Sequence, residues 1–229
     1  MEWFMARFGN FTASNIGKLM VNGRGGGFGK GAETYIKKVA KERALKPFIT
    51  EESVMDDYIF YTQAKPTPAM QRGIDAEPIT RNLYSLRTGN PVVEVGSVMH
   101  NMVRGFSGSP DGLVGEDGII EMKDVGDDTY AEYILEVKDA ASLKAVNADY
   151  YWQCIANMEV TGRSWCDFVV SCSVLKKALG VQFPIYILRI ENDVDAAAQL
   201  LERVILANAE ADDLCTKLAT VIQTSLSPF

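Results

Sequence analysis

Two carboxylates and an amine are spaced along residues 109–123 so that they could act together on a phosphate ester. Asp111 lies in the run Ser-Pro-Asp-Gly-Leu, and Glu121 follows ten positions later, with Lys123 two beyond it. The intervening segment Gly115-Glu116-Asp117-Gly118 has the composition of a tight turn, and the apolar pair after it begins a buried strand. Because side chains alternate along a strand, Glu121 and Lys123 point to the same face.

A hairpin of this kind brings Asp111, Glu121 and Lys123 side by side. Carboxylate oxygens are the ligands that Mg²⁺ prefers, and a cation beside them favours ionisation of an attacking water. The pattern therefore predicts metal-assisted hydrolysis of a phosphodiester, which is nuclease chemistry. The alternative is an ordinary E-x-K pair on a solvent-facing strand, where the charges pair only weakly. A second set, Asp127-Asp128 with Glu136-Val137-Lys138, copies the spacing but lacks the proline, the turn and the strand, and it ranks lower.

The composition is that of one globular domain spanning residues 1–229, with 47% hydrophobic and 23% charged residues. No apolar run approaches the ~18 residues of a membrane span and no secretory signal pattern opens the chain, so we expect a cytoplasmic protein without a membrane partner. The four cysteines form no C-x-x-C pair, which disfavours zinc and iron–sulfur sites. The net charge of −7 argues against a general nucleic-acid coat. It does not exclude a DNA enzyme, because bound cations reverse the local field.

Hydrophobic periodicity predicts the α/β class, with a mixed central β-sheet flanked by helices. The predicted helices are one that begins after Thr12, Ala32–Leu45, Met70–Arg87, Asp149–Thr161 and Val194–Leu218. The predicted strands besides the hairpin are Pro91–Val95 paired with Ser97–Val103, then Trp165–Leu175 and Gln182–Ile190. The segments expected to be extended or turn-rich are Met1–Asn10, Glu51–Pro68 and Asp124–Asp128.

A glycine-rich loop, residues 23–31, carries Arg24 and Lys30. A Walker-type phosphate loop requires Ser or Thr directly after the lysine, and Gly31 stands there instead. The composition therefore favours a mobile loop that becomes ordered on a partner over a nucleotide cradle. Basic residues are concentrated in the first fifth of the chain, where they form either a local basic surface or an ordinary solvated helix face.

Several ordered motifs resemble those of the phage lambda-type alkaline exonucleases, viral recombination nucleases of the restriction-endonuclease-like PD-(D/E)XK superfamily. The matching motifs are Arg7-Phe8-Gly9 with Thr12-Ala13-Ser14, Gly73-Ile74-Asp75-Ala76-Glu77, the hairpin from Ser109 to Lys123, and Gln153 preceded by Tyr150. The markers cover roughly two-thirds of the chain, and the last third matches only in its order of strands and helix. The resemblance implies a restriction-endonuclease-like nuclease core.

The resemblance also implies a role for each matching residue. Asp111 and Glu121 would bind two Mg²⁺ ions, with the carbonyl of Met122 as a further ligand and Mn²⁺ as a substitute metal. Lys123 would polarise the attacking water, and Glu77 would position that water or the second ion. The residues that match the site of the terminal 5′-phosphate are Arg7, Ser14, Ser109 and Gln153.

Arg24 matches an arginine that penetrates the duplex where the strands separate, and Met70 would contribute to the same apolar wedge. Three of the matching residues have structural alternatives. Glu77 could be a solvated residue at a helix edge, Gln153 could cap a backbone group, and Arg7 could be an ordinary surface arginine.

The activity implied by the resemblance is a Mg²⁺-dependent 5′→3′ exonuclease on double-stranded DNA ends that releases mononucleotides and leaves a 3′ single strand. The resemblance further implies a homotrimer ring around DNA and a phage-type single-strand annealing protein as a partner in recombination. A bacterial cell, with the protein encoded by a phage or prophage, would be its setting. The alternatives are an endonuclease of the same superfamily, a non-catalytic DNA-end-binding module and, more weakly, a nucleotide-binding protein.

Overall fold

The protein is described by a computed structural model over residues 2–49, 51–62, 65–180 and 184–226. The α-helices are α1 (Glu2–Arg7), α2 (Lys30–Leu45), α3 (Glu52–Thr62), α4 (Pro68–Thr88), α5 (Asp127–Glu136), α6 (Ala140–Val146), α7 (Ala148–Thr161), α8 (Ser173–Leu179) and α9 (Val194–Leu226). The strands are β1 (Phe11–Thr12), β2 (Val92–Val93), β3 (Val98–Met99), β4 (Phe106–Gly108), β5 (Gly112–Val114), β6 (Gly118–Asp124), β7 (Trp165–Ser171) and β8 (Ile185–Glu191). Two 3₁₀ helices, Ala13–Met20 and Lys46–Phe48, flank α2.

Within the described residues, the central sheet has five strands in the order β2-β5-β6-β7-β8. β5 and β6 form the predicted antiparallel hairpin, with Gly112 opposite Ile120. β6 runs parallel to β7, and β7 runs antiparallel to β8. A smaller sheet in the order β1-β4-β3 lies beside it. This mixed sheet architecture with flanking helices confirms the fold class that the sequence predicts.

The two faces of β6 are buried against different neighbours. Ile119 belongs to the main core with α7 and α9, whereas Ile120 and Met122 pack with Tyr84 of α4 in a second cluster. Glu121 alternates with these residues and therefore faces α7. The central strand is thus covered on both sides, and its one fully buried carboxylate lies against a helix.

The expected pairing of Pro91–Val95 with Ser97–Val103 is wrong. β2 pairs with β5 in the central sheet, whereas β3 pairs with β4 in the smaller sheet. Residues 94–97 thus cross from one sheet to the other instead of forming a hairpin turn. Each strand has only two residues, so partner choice is decided by tertiary packing and not by local propensity.

The amino-terminal region is more helical than the sequence predicts. Instead of a turn-rich segment, α3 forms and buries Met55 in a satellite core with Phe8 and Ile49. Tyr58 meets the Phe8 ring edge-on, with 5.2 Å between centroids. The extended lead-in expected before Asn10 is the short helix α1. Met5 of α1 packs against the same cluster, so both helices are supported by contacts that single-segment periodicity does not reveal.

Several predicted boundaries also require correction. The strand expected to reach Leu175 ends at Ser171, because Asp124 accepts hydrogen bonds from the backbone N–H (2.8 Å) and the hydroxyl (2.7 Å) of Ser173 and the chain turns into α8. The predicted strand start at Gln182 lies outside the described residues, and β8 is described from Ile185. Asp124 belongs to β6, so the acidic loop expected from that residue is shorter than predicted.

The remaining comparisons with the sequence-based expectations concern helices. The helix expected after Thr12 is the 3₁₀ helix Ala13–Met20, and the Thr12 hydroxyl lies 3.2 Å from that of Tyr35. The lower-ranked carboxylate set contains no strand, because Asp127 and Glu136 are the first and last residues of α5. The predicted helix from Val194 continues to Leu226. No described helix combines the length and hydropathy needed to cross a membrane.

Helix α4 is fixed on the sheet by buried polar contacts. The Tyr84 hydroxyl donates to Asp167 Oδ2 (2.6 Å), and Arg189 donates to both oxygens of that carboxylate (2.5 and 3.0 Å). Thr80 and Ser171 hydroxyls lie 3.1 Å apart one turn earlier. Burial, and then the bond to Asp167, raise the pKa of Tyr84 above its ordinary value, so the hydroxyl remains a donor. These contacts determine where the preceding turns of α4 lie.

We expect Arg189→Met to lower the free energy of unfolding by about 1–3 kcal/mol, because it leaves the buried Asp167 carboxylate without its charged partner. Tyr84→Phe should cost about 1–2 kcal/mol through the lost hydrogen bond. Urea unfolding measures both effects. Lys217→Met is the matched control, since it removes an exposed pair with Asp213 and should change stability by less than about 0.5 kcal/mol. An effect of Arg189→Met no larger than this control would contradict the anchoring role.

Candidate active site

The hairpin places Asp111 across from β6, the strand that carries Glu121 and Lys123. The backbone N–H of Asp111 donates to the Ile120 carbonyl (3.1 Å), and Asp111 Oδ2 accepts a hydrogen bond from the backbone N–H of Met122 (2.6 Å). One carboxylate oxygen is therefore held against the β6 backbone. The carboxylate lies at the open end of the hairpin, next to Met122, whose carbonyl is the expected further metal ligand.

Glu121 is held by three donors and is only 1% exposed. Its Oε1 accepts from Lys123 Nζ (2.5 Å) and from Gln153 Nε2 (2.6 Å), and its Oε2 accepts from Asn157 Nδ2 (2.8 Å). The two amides come from successive turns of α7, so a single helix orients both oxygens. Gly108 of β4 permits this close approach, because a Cβ there would lie 2.4 Å from Asn157 Oδ1.

The charges in this cluster shift one another's pKa values. Burial, and then the repulsion of Glu121, raise the pKa of Asp111 to about 7. For Lys123, burial alone would lower the pKa, but Glu121 and Asp111 outweigh it and the net shift is upward. Lys123 Nζ also lies 5.1 Å from the centre of the Tyr150 ring. The lysine is therefore a protonated ammonium at neutral pH. The raised pKa of Asp111 means that its ionised carboxylate is unfavourable unless a further cation lies beside it.

Glu77 reaches this cluster from α4. A cleft of about 460 Å³ is lined by Glu77, Asp111 and Lys123, among others, with Met70 and Ile74 at its edge. Burial, and then Asp111, raise the pKa of the Glu77 carboxyl. The structure thus places Glu77 beside the hairpin, in the cleft that Asp111 and Lys123 also line, whereas Glu121 is buried behind it.

A second cavity, of about 400 Å³, shares Glu77 and Asp111 with the first and contains the predicted phosphate-site residues of the amino-terminal motif. Arg7 Nη1 donates to the Ser109 hydroxyl (3.2 Å) and Nη2 to the Ser14 hydroxyl (2.9 Å). Burial lowers the pKa of Arg7, although its guanidinium remains a cation at neutral pH. An arginine fork with two hydroxyls is suited to a phosphate group.

Two other predicted phosphate- and DNA-binding residues, Gln153 and Arg24, do not line the cavity that contains Arg7. Gln153 bonds Glu121 and so belongs to the carboxylate cluster. Arg24 is exposed on the glycine-rich loop. Arg203 of α9 contacts that loop by donating to the Gly27 carbonyl (3.3 Å) and by stacking on Phe28, with 4.1 Å to the ring centre.

Two polar residues of the site are not among the site residues predicted from the sequence. Asn157 is fully buried and supplies the third donor to Glu121, and Arg81 bonds Glu77 and the Asp111 carbonyl. Each lies four residues after a residue that was singled out, Gln153 or Glu77. Because residues four apart share a helix face, that spacing was the available signal.

The donor set suits a hard divalent cation. Asp111, Glu121 and the Met122 carbonyl offer oxygen ligands, and the crowded negative charge favours a cation among them. In the described part of the chain, no three Asp, Glu, His or Cys side chains form a complete metal site by themselves. Mg²⁺ usually keeps several waters and takes only one or two carboxylates, so an incomplete protein ligand set fits this ion.

Comparisons with known proteins show that the chain is similar to a viral recombinase family and to alkaline exonucleases. A family model described as a YqaJ-like viral recombinase domain matches residues 2–164. The alkaline exonuclease LHK-Exo from Laribacter hongkongensis is 31% identical, with a TM-score of 0.75 over 99% of this chain and 99% of that chain. LHK-Exo in complex with dAMP matches with 31% identity and a TM-score of 0.75 over 97% and 98%.

A phage-related exonuclease from Haemophilus somnus 129PT is 16% identical, with a TM-score of 0.63 over 91% of this chain and 96% of that chain. At that identity it supports the fold alone. No curated protein sequence matches the chain.

We expect Asp111→Asn to stabilise the metal-free protein at pH 8. An unfolded aspartate has a pKa of about 3.9, whereas that of Asp111 is raised to about 7 in the folded protein. The contribution of this carboxyl to the free energy of unfolding is therefore complete below a pH of about 4. It is lost as the pH rises through about 7, where the folded carboxyl ionises. Removing the charge should raise the free energy of unfolding by up to about 4 kcal/mol at pH 8 in EDTA, because each tenfold change in proton affinity corresponds to about 1.4 kcal/mol.

Urea unfolding at two pH values measures this effect. At a pH of about 3.5 the two proteins should differ little, because the carboxyl is then largely protonated in both the folded and the unfolded state. Mg²⁺ should stabilise the wild type at pH 8 and have little effect on Asp111→Asn. Asp117→Asn, in the exposed hairpin turn, controls for the loss of one carboxylate. Equal stability of wild type and Asp111→Asn in EDTA at pH 8 would count against the charge crowding.

We expect Asn157→Ala to weaken metal-dependent activity, because it removes the donor that orients Glu121 Oε2. Residues that orient metal ligands typically contribute about 10–100-fold to metal affinity. The Mg²⁺ concentration for half-maximal cleavage should therefore rise by about tenfold or more, as measured by nuclease assays over a metal titration. Thr161→Ala is the control on the same helix, since its hydroxyl bonds only helix carbonyls. Unchanged metal dependence in Asn157→Ala would contradict the positioning role.

Proposed function

This chain belongs to the family of YqaJ-like viral recombinase domains, and we propose that it is a Mg²⁺-dependent 5′→3′ exonuclease on double-stranded DNA. Its structural relatives at 31% identity are alkaline exonucleases, which supports a nuclease role. The observation that supports a 5′→3′ exonuclease activity is that two cavities lie next to each other. One holds the acidic hairpin and Lys123, the other holds Arg7 with two serines, and Asp111 lines both.

Hydrolysis requires charge neutralisation at the scissile phosphate and a water that gives up a proton. Asp111, Glu121 and the Met122 carbonyl would hold Mg²⁺, with Mn²⁺ as a substitute, and two ions would supply Lewis-acid stabilisation and a more acidic bound water. Lys123, fixed on Glu121, presents an ammonium that favours hydroxide in the cleft. Glu77, whose pKa is raised by burial and by Asp111, is suited to accept a proton from the water.

The polarity follows from the second cavity. A terminal 5′-phosphate carries more charge than an internal phosphodiester, and Arg7 with the hydroxyls of Ser14 and Ser109 would bind it by charge-assisted hydrogen bonds. Contacts to phosphate carry no base identity, so digestion should be independent of sequence. The scissile bond would then lie at the shared wall near Asp111, one nucleotide from the bound end.

The products of such a reaction are 5′-mononucleotides and a 3′ single strand. LHK-Exo has been captured with dAMP, which is a mononucleotide of this kind. We extend the proposal to a homotrimer ring that encircles DNA, to a phage-type single-strand annealing protein as partner and to a cytoplasmic setting in a phage-infected or prophage-carrying cell. The net charge of −7 suits a ring that must slide along its substrate.

The proposal is tested with end-labelled linear duplexes that carry either a 5′-phosphate or a 5′-hydroxyl. We expect mononucleotide release from the 5′ end, at least about tenfold faster from the phosphorylated duplex, because a charge-assisted contact contributes about 1.5–3 kcal/mol. Equal rates, or release from the 3′ end, would contradict the polarity. Cleavage of covalently closed circles would favour an endonuclease of the same superfamily.

Lys123→Ala separates catalysis from binding in the same assay. Cleavage should fall by at least about 100-fold, whereas the dissociation constant for duplex DNA should change little, because the ammonium acts on the attacking water. Lys217→Ala, far along α9, controls for the loss of one lysine. Near-normal turnover by Lys123→Ala would remove the lysine from the mechanism. Absence of cleavage by the wild type with Mg²⁺ or Mn²⁺ would instead favour a non-catalytic end-binding module.

A further inference from the structure

Arg81 of α4 lies where the two cavities of the site meet. Its Nη2 donates to Glu77 Oε1 (2.5 Å) and to the Asp111 carbonyl (3.3 Å), and its Nη1 forms an ion pair with Glu94 Oε1 at 2.7 Å. The side chain is 14% exposed and lines the cavity that contains Arg7. Its buried Nε has no hydrogen-bond partner within the described residues. The guanidinium is thus fixed at the cavity wall.

The two carboxylates on Arg81 are held very differently. Glu77 is 40% exposed and lies one turn before Arg81 on the same helix, where the pair is supported by the helix itself. Glu94 follows β2 on the segment that crosses between the sheets, and its side chain is 73% exposed. An exposed pair of this kind contributes little stability. Glu94 can therefore leave the guanidinium at small cost, whereas the arginine stays in place.

We propose that Arg81 is a second arginine of the terminal-phosphate site and that Glu94 is a displaceable counter-charge that covers it until a phosphate enters. This inference rests on the proposed function and deepens it. A carboxylate and a phosphate present the same paired oxygen acceptors to a guanidinium, so a phosphate dianion can replace Glu94 at Nη1. Arg7 and Arg81 would then bind the phosphate from two sides of one cavity.

The exchange has a consequence for selectivity. A terminal phosphate carries close to two negative charges near neutral pH and competes well with one loosely held carboxylate. A 5′-hydroxyl end brings no charge into the cavity, and Arg81 then remains covered by Glu94. Glu94 thus competes with the 5′-phosphate for Arg81 and weakens the binding of phosphorylated ends. It also prevents other anions from binding to Arg81.

The test is Glu94→Gln, which keeps the side-chain size and removes the competing charge. For a duplex with a 5′-phosphate, KM should fall by about two- to fivefold, the range expected for an exposed ion pair, and kcat should stay within about twofold. For a duplex with a 5′-hydroxyl, KM should be unchanged. Glu116→Gln, in the exposed hairpin turn, controls for net charge and should leave both KM values unchanged.

Arg81→Lys gives the opposite result if the inference holds. The lysine keeps the charge but not the planar fork, so KM for the phosphorylated duplex should rise at least about fivefold. A thermal unfolding midpoint measured for each variant separates this effect from a loss of structure. An unchanged KM in Glu94→Gln, or a fall that is equal for the two kinds of end, would overturn the inference.

Inhibition by inorganic phosphate distinguishes failure of this inference from failure of the proposed function. The inhibition constant should fall in Glu94→Gln by about the same two- to fivefold factor. A wild type that ignores the 5′-phosphate would refute the proposed polarity, and the inference would still be judged by this phosphate titration. An identical inhibition constant in wild type and Glu94→Gln would overturn it whatever the polarity.

Discussion

The buried charge of Glu121 is the constraint on which the site depends. A carboxylate removed from water is costly unless hydrogen bonds and an opposite charge compensate it. Here an ammonium from the same strand and two amides from α7 provide that compensation. The same three donors fix the direction of both oxygens. Stability and geometry are thus linked, because any packing of α7 that failed to satisfy the charge would be strongly disfavoured.

The rest of the fold supports this arrangement from two sides. α7 approaches closely because Gly108 has no side chain to obstruct Asn157. α4 is held by the buried Tyr84–Asp167–Arg189 network on the opposite face of the sheet. That network carries no chemistry of its own. Its effect is to fix the earlier turns of α4, so that Glu77 lies in the cleft beside Asp111 and Arg81 lines the adjoining cavity with Arg7.

Sequence reasoning succeeded where the determinants are local. The hairpin follows from turn residues and strand alternation between Asp111 and Lys123, and the mixed sheet follows from the order of periodic segments. It failed where contacts distant in sequence decide. β2 and β3 are too short to specify a partner, and α3 depends on Phe8, more than forty residues earlier. For the site, residue types indicated the chemistry but not the contacts. Gln153 was assigned to the terminal phosphate by resemblance, whereas the structure places its amide on Glu121.

The parallel pairing of β6 with β7 has a consequence for the order of assembly. Gly118 lies opposite Trp165 and Asp124 opposite Ser171, so the strand that carries Glu121 and Lys123 gains its second neighbour only after α5, α6 and α7 have been made. Parallel pairings with long crossovers form late, since the entropy of closing the loop opposes them. A nascent chain on the ribosome therefore carries the hairpin before it has the amides that hold Glu121. The contacts around Glu121 are therefore complete only when α7 and β7 have packed against the hairpin.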